Sequence, residues 1–211
     1  MKSRNLQQLT DSAATAEEPR NQPRRGLPAW VPVILLAVAI NMFLFTTVGI
    51  RGDSMEPTLH SGERALVPRF EVWWQRLAGS GYDRGDVVFF PNPVARDCGW
   101  RCPWVIKRIV GLPGETVSID NGTVSINGEP LPEPYLQDEW RGSFTMGPVR
   151  VPAGSYFVLG DNRYPYGSQD SRSYGPVDAG TVAGRVSAIL WPPLRSGEDG
   201  LELNWRGLGR P

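Results

Sequence analysis

Residues 104–131 read WVIKRIVGLPGETVSIDNGTVSINGEPL, and this stretch sets the fold class. Its first eight residues, WVIKRIVG (104–111), are rich in β-branched side chains and end before the Pro113-Gly114 pair, which predicts a strand. ETVSIDNGTVSINGEPL (115–131) then alternates apolar and polar residues on both sides of Asn121-Gly122. Asn and Gly tolerate the positive φ of a type I′ turn, so this part predicts a hairpin. Working outward, ERALVP (63–68), GDVVFF (85–90), GSYFVLG (154–160) and GRVSAILW (184–191) read as further strands. No stretch after Ile50 carries helical periodicity over three turns, and no fixed-period repeat is present. Gly 24 and Pro 20 in 211 residues also disfavour long helices. The fold class is mainly β: antiparallel strands in a barrel or in packed sheets.

One segment differs. AWVPVILLAVAINMFLFTTVGI (29–50) has no charged residue. As a single helix rising ~1.5 Å per residue it would span a hydrocarbon core of ~30 Å. It exceeds the apolar region of a cleavable signal, and no small-x-small site follows it. The expectation is one N-terminal transmembrane anchor. Lys2, Arg4, Arg20, Arg24 and Arg25 precede it, whereas Arg51 is the first basic residue after it. That asymmetry places the N-terminus in the cytoplasm and the main domain on the extracytoplasmic side of the cell membrane. The expected organisation is a disordered polar tail (1–28), the anchor (29–50), a β-rich catalytic domain (51–194) and a C-terminal tail (195–211). FEVWWQRL (70–77) reads as an apolar-aromatic loop suited to dip into lipid, or else as core.

Lys plus Arg and Asp plus Glu are each 22, so net charge is zero and nucleic acid is not an expected partner. Cys98 and Cys102, in DCGWRCP, read as a local disulfide in an extracytoplasmic domain, with two free thiols as the alternative. A metal site is disfavoured, since two Cys and one distant His do not complete four ligands. No cofactor is implied.

The nucleophile candidate is Ser54, in GDSMEPTL just after the apolar segment. A serine needs a base. The single His, His60, lies in the polar turn LHSGE and reads as a solvated turn residue rather than part of a triad. Lysine serves instead when neutral, which requires removing about 4–5 kcal/mol of preference for the ammonium form, usually by desolvation. The chain has two lysines: Lys2 in the tail and Lys107 within the apolar strand WVIKRIVG. Arginine does not act as a base near neutral pH.

SMEPTL (54–59), GDVVFF (85–90), KRIVGLPGE (107–115), GDNR (160–163) and SQDSR (168–172) follow the apolar segment in that order. Together they resemble the type I signal peptidases from Trp30 to Pro193. The resemblance implies Ser54 as nucleophile, Lys107 as general base and Ser168 as the hydroxyl that orients the lysine. It also implies Asp161, Arg163, Asp170 and Arg172 as polar residues that hold the site together. Ile50, Met55, Leu59, Phe89 and Ile106 would line shallow pockets for small residues at −1 and −3 of exported preproteins. The implied fold is two antiparallel β regions around the site. Two departures stand out. Gly52 occupies a position where one branch of the family has an oxyanion-binding serine. Four residues, Tyr164–Gly167, separate GDNR from Ser168 where the family usually has two, so Ser171 and Ser173 are alternatives. The rival readings are a membrane-tethered β-rich scaffold without catalysis and a self-cleaving Ser/Lys protease.

Overall fold

The computed structural model describes residues 28–95, 103–197, 200–204 and 206–208. Cys98 and Cys102, and the tail before Pro28, lie outside the described residues. The chain divides into two compact units, Met1–Val38 and Ala39–Pro211, and all sheets lie in the second.

Helix α1 (Trp30–Leu44) leads into β1 (Phe45–Gly49), β2 (Arg64–Pro68), α2 (Arg69–Ala78), β3 (Val87–Pro91) and β4 (Trp104–Gly111). The next elements are β5 (Thr116–Asp120), β6 (Thr123–Ile126), β7 (Glu129–Pro130), β8 (Met146–Arg150) and β9 (Ser155–Leu159). Then come α3 (Ser171–Tyr174), β10 (Val177–Asp178), β11 (Gly184–Arg185) and β12 (Ala188–Trp191). The chain continues through β13 (Leu194–Gly197), β14 (Gly200–Leu203) and β15 (Arg206–Gly207). Every strand pair is antiparallel. The sheets run β1-β2-β12-β15, β10-β9-β4-β3-β11 and β7-β6-β5-β8, with β13-β14 as a separate pair.

The hairpin forms as its sequence requires: Asp120 faces Thr123, and Asn121 and Gly122 take φ of 44° and 81°. The run 184–191 is not one strand. Its first half pairs with β3 and its second with β2, and the handover is at Val186 and Ser187, whose amides bond Val87 and Leu66. One apolar run thereby joins two sheets. Alternation on β3 does the same for the core. Val87 and Phe89 pack with Ile50, Met55, Leu59, Val67, Ile106 and Ile189, while Val88 and Phe90 pack with Tyr82, Ile109, Tyr156 and Val158. A third cluster, including Val110, Val117, Val124, Phe157 and Leu159, seats the β5–β8 lobe on β4 and β9.

Two further sequence expectations are corrected. The apolar run does not form one helix: α1 ends at Leu44, and Phe45–Gly49 pairs with β2 as an edge strand. Thr46, Thr47 and Val48 are β-branched and Gly49 disfavours helix, so this end of the run gains more from a strand. The helix is about 22 Å long. Among the described residues no helix is long and apolar enough to cross a membrane. FEVWWQRL is not a loop but most of α2, whose ten residues fall just short of three turns.

Candidate active site

The residues from Ile50 to Leu59 form a tethered turn. Ile50 is fixed by backbone bonds to Glu63 and Gly62, and its side chain is buried. Gly52 sits at φ +81°, a left-handed conformation that a side chain would strain, which accounts for glycine at this position. The Leu59 amide bonds the Met55 carbonyl, and both side chains are buried in the core. Ser54 thus stands, half-buried, on a turn pinned from both ends.

Lys107 reaches it from β4. Its Nζ is 2.9 Å from Ser54 Oγ and donates to the Ile106 carbonyl at 2.7 Å. The residue is only 3% exposed. Burial pushes the amine down from its ordinary 10.5 to about 8; Asp170 and Asp161 oppose the shift and Arg172 adds to it.

The segment after β9 closes the site from the far side. Asp161 is fully buried and accepts a two-pronged ion pair from Arg108, the neighbour of Lys107, at 2.9 and 2.5 Å. Asn162 holds the backbone of the Ser54 turn: its amide donates to the Ser54 carbonyl at 3.2 Å and its side chain to the Asp53 carbonyl at 3.3 Å. Arg163 donates to the Gly160 carbonyl at 2.7 Å and to both oxygens of Glu133. Asp170 accepts the Gly160 amide at 3.0 Å and two guanidinium N–H groups of Arg172 at 2.8 Å. Arg172 in turn donates to the Arg163 carbonyl. The pKa values of Arg108 and Arg163 are raised by their carboxylate partners, Asp161 and Glu133, against the opposing effect of burial.

Ser168 returns to this cluster despite the longer connection. The Gly167 amide bonds the Tyr164 carbonyl, and Tyr166 (φ 67°) projects into solvent. A Cβ on Gly160 would fall 2.2 Å from Ser168 Oγ and 2.4 Å from the Ser54 carbonyl, so the two serines share one crevice. Ser168 Oγ is buried with no hydrogen-bond partner, and the lysine amine donates elsewhere. The alternatives are occupied: Ser171 Oγ accepts the Val158 amide, and Ser173 Oγ donates to the Asp170 carbonyl.

A cleft of about 710 Å³ runs to the Ser54–Lys107 pair. One wall is β1 with Ile50 and Met55; the other is residues 103–107 with Phe89. The Phe89 and Trp104 rings lie 5.4 Å apart and narrow it. Of the five residues expected in the pockets, Ile50, Met55, Phe89 and Ile106 line this cleft. Leu59 does not. It is fully buried one turn beyond Met55 and anchors the turn to the core.

A family model described as signal peptidase, peptidase S26, matches residues 24–191. The chain belongs to this family. A signal peptidase I of Bacillus licheniformis is 36% identical over 189 residues, covering 83% of this chain and 95% of the relative. Signal peptidase I T of Bacillus subtilis is 34% identical over 192 residues, covering 87% and 93%. A solved signal peptidase I of Enterococcus faecalis is 36% identical, covering 50% of this chain and 97% of that one, with a TM-score of 0.37. The scaffold and self-cleaving readings give way to a signal peptidase.

Several residues of this peptidase's site carry no local sequence signal. Glu133, in PLPEPY, is buried and bonds Arg163, while the Tyr135 hydroxyl donates to it at 2.7 Å. Tyr135 also lies beneath the Arg108 guanidinium, 3.8 Å from ring centre to Cζ, and burial foremost raises its pKa. Asn162 lay within GDNR, but its bond to Ser54 depends on tertiary approach. His60 pairs loosely with Glu56 at 3.6 Å and lies off the cleft, as a turn residue would. Among the described residues no group of three or more His, Cys, Asp or Glu is placed to hold a metal.

Proposed function

We propose that this signal peptidase removes N-terminal signal peptides from exported preproteins, cutting after small-x-small residues with Ser54 as nucleophile and Lys107 as general base. The observation that carries the reading is a buried amine, its pKa near 8, held 2.9 Å from a half-exposed serine hydroxyl at the end of a cleft. Neutral Lys107 takes the Ser54 proton as Oγ bonds to the scissile carbonyl carbon. The Ser54 amide stabilises the resulting oxyanion. The C–N bond then breaks and the lysine ammonium gives its proton to the departing amine. The same lysine then deprotonates a water, whose oxygen bonds to the ester carbon; the bond to Ser54 Oγ breaks, and the lysine ammonium gives its proton to that oxygen. Ser168 orients the amine during this cycle, and Asp161, Arg163, Asp170 and Arg172 hold the loop that carries it.

The substrate binds as an added β-strand. Within the described pairing, β1 is a sheet edge and residues 104–107 pair only with β3, so both walls offer backbone to an extended chain. Ile50, Met55, Phe89 and Ile106 supply the apolar lining against which the small side chains at −1 and −3 pack.

The protein works at a membrane. Helix α1 exposes Val33, Ile34, Leu35, Leu36, Val38, Ile40, Met42 and Phe43, an apolar surface suited to lipid rather than water. It inserts in lipid, with the N-terminus cytoplasmic and the catalytic domain outside. The decisive assay incubates detergent-solubilised protein with a preprotein. Ser54→Ala, Lys107→Ala and Lys107→Arg each abolish release of the signal peptide; processing by Lys107→Arg at the wild-type rate excludes the mechanism.

A further inference from the structure

The cleft carries charge of one sign. Its charged lining is Arg51, Arg64 and Lys107, with no carboxylate among the described lining residues, although the chain as a whole has no net charge. Lys107 belongs to the catalytic pair. Arg51 and Arg64 do not, and both are exposed. Elsewhere in the domain Arg84, Arg108, Arg163, Arg172 and Arg185 each hold a carboxylate. Among the described residues Arg51 and Arg64 have neither an ion pair nor a side-chain hydrogen bond, so their charge is left for a group that enters the cleft.

Strand alternation puts both arginines on one face. Along β1 and the residues that follow it, Val48 is half-buried and Ile50 buried, whereas Thr47, Gly49 and Arg51 are exposed. Arg64, on β2, pairs directly with Gly49. A Cβ on Gly49 would meet nothing within 4 Å, so Arg64 has an open path across β1 to the free edge of the sheet. A chain added at that edge lies two strand spacings from Arg64, roughly 10 Å, which an arginine and a glutamate side chain together span. An extended substrate alternates in the same way. Its −1 and −3 side chains turn inward to Ile50, Met55, Phe89 and Ile106, and its −2 side chain turns outward, onto the face that carries Arg51 and Arg64.

We infer that Arg51 and Arg64 select an acidic side chain, Glu or Asp, at −2 of the preprotein. The inference rests on the added-strand reading above and extends it to the residue between the two small ones. A carboxylate at −2 meets two unpaired guanidiniums, and a lysine there meets two like charges, so repulsion contributes to the choice as well as attraction.

The test uses the full chain in a zwitterionic detergent and three preprotein peptides that differ only in Glu, Gln or Lys at −2. kcat/KM is expected to fall in that order, by about fivefold at each step, the upper range for exposed charge pairs. The steps should shrink in about 1 M salt, where charges are screened within about 3 Å. Arg51→Glu and Arg64→Glu are each expected to compress the series, and the double variant to reverse it so that the Lys peptide is cleaved fastest. The peptide series on the unaltered protein reads the preference even where a variant does not fold. Equal rates on the three peptides overturn the inference and leave the peptidase reading intact; no cleavage of any of them overturns both. A Glu preference that persists in the folded double variant overturns the inference too. So do equal peptide rates combined with slowing of Arg51→Glu and Arg64→Glu only in phosphatidylglycerol vesicles, which would assign the two arginines to anionic lipid.

Discussion

A lysine held 2.9 Å from a serine is useful only while it lacks its proton, and burial supplies that condition here. With a pKa of about 8, roughly one amine in eleven is neutral at pH 7 and ten in eleven at pH 9. kcat/KM for a peptide substrate should therefore rise about tenfold between those values, and a flat profile from pH 6 to 9 would contradict the assignment. The same titration has a stability consequence. Between about 8 and 10.5 the unfolded chain holds a proton that the folded chain has lost, so stability rises with pH across that window. Below it, the folded protein bears the full cost of a buried charge. Lys107→Met should accordingly be inactive yet more stable at pH 7, by up to about 3 kcal/mol, with the gain fading as pH rises from about 8 to 10.5. Denaturant melts of both proteins at pH 7 and pH 10.5 measure it. Lys107 was legible in the sequence because lysine is scarce and this one interrupts an apolar strand. Asn162 was not, because its bond to Ser54 exists only once residues far apart in the chain have met.

The element that gathers the site is the loop following β9. Within four residues it reaches three partners: Asp161 grips β4 through Arg108, Asn162 grips the Ser54 turn, and Arg163 grips Glu133 of the lobe. Gly160 is the point of closest approach, where an added methyl would meet Ser168 Oγ at 2.2 Å and the Ser54 backbone at 2.4 Å. Since one contact is backbone, the turn itself must shift. Gly160→Ala should lower kcat/KM by about 100-fold, as expected when a reacting group moves by an ångström. Near-normal kinetics would mean that Ser54 is not fixed by this contact. Regular elements of this kind were mostly readable: β4 occupies residues 104–111 as expected, because β-branched runs bounded by Pro-Gly leave few options. The failures have a common cause. At α2 and at the end of α1 local pattern competes with tertiary pairing, and neither a helix under three turns nor a strand continuing an apolar helix announces itself by periodicity.

At the scale of the molecule, the β5–β8 lobe is both packed and wired to the catalytic part. Apolar contacts through Val110, Phe157 and Leu159 set its position, while Glu133 and Tyr135 carry the lobe's polar reach to Arg163 and Arg108. Glu133 is buried, so removing its charge strands the equally buried Arg163 guanidinium. Glu133→Gln should destabilise the protein by about 3–5 kcal/mol and lower kcat more than it raises KM, since the cleft walls are built from other elements. Packing and positioning can then be separated. Replacing both partners, Glu133→Leu with Arg163→Leu, removes the stranded charge and should recover most of the lost stability. It also deletes the bond from Arg163 to the Gly160 carbonyl, so kcat should stay low although the melting temperature returns. A double variant that regains full kcat along with its stability would show that the lobe merely supports the fold. One that stays slow while stable would establish that the lobe sets the geometry of the loop facing Ser54.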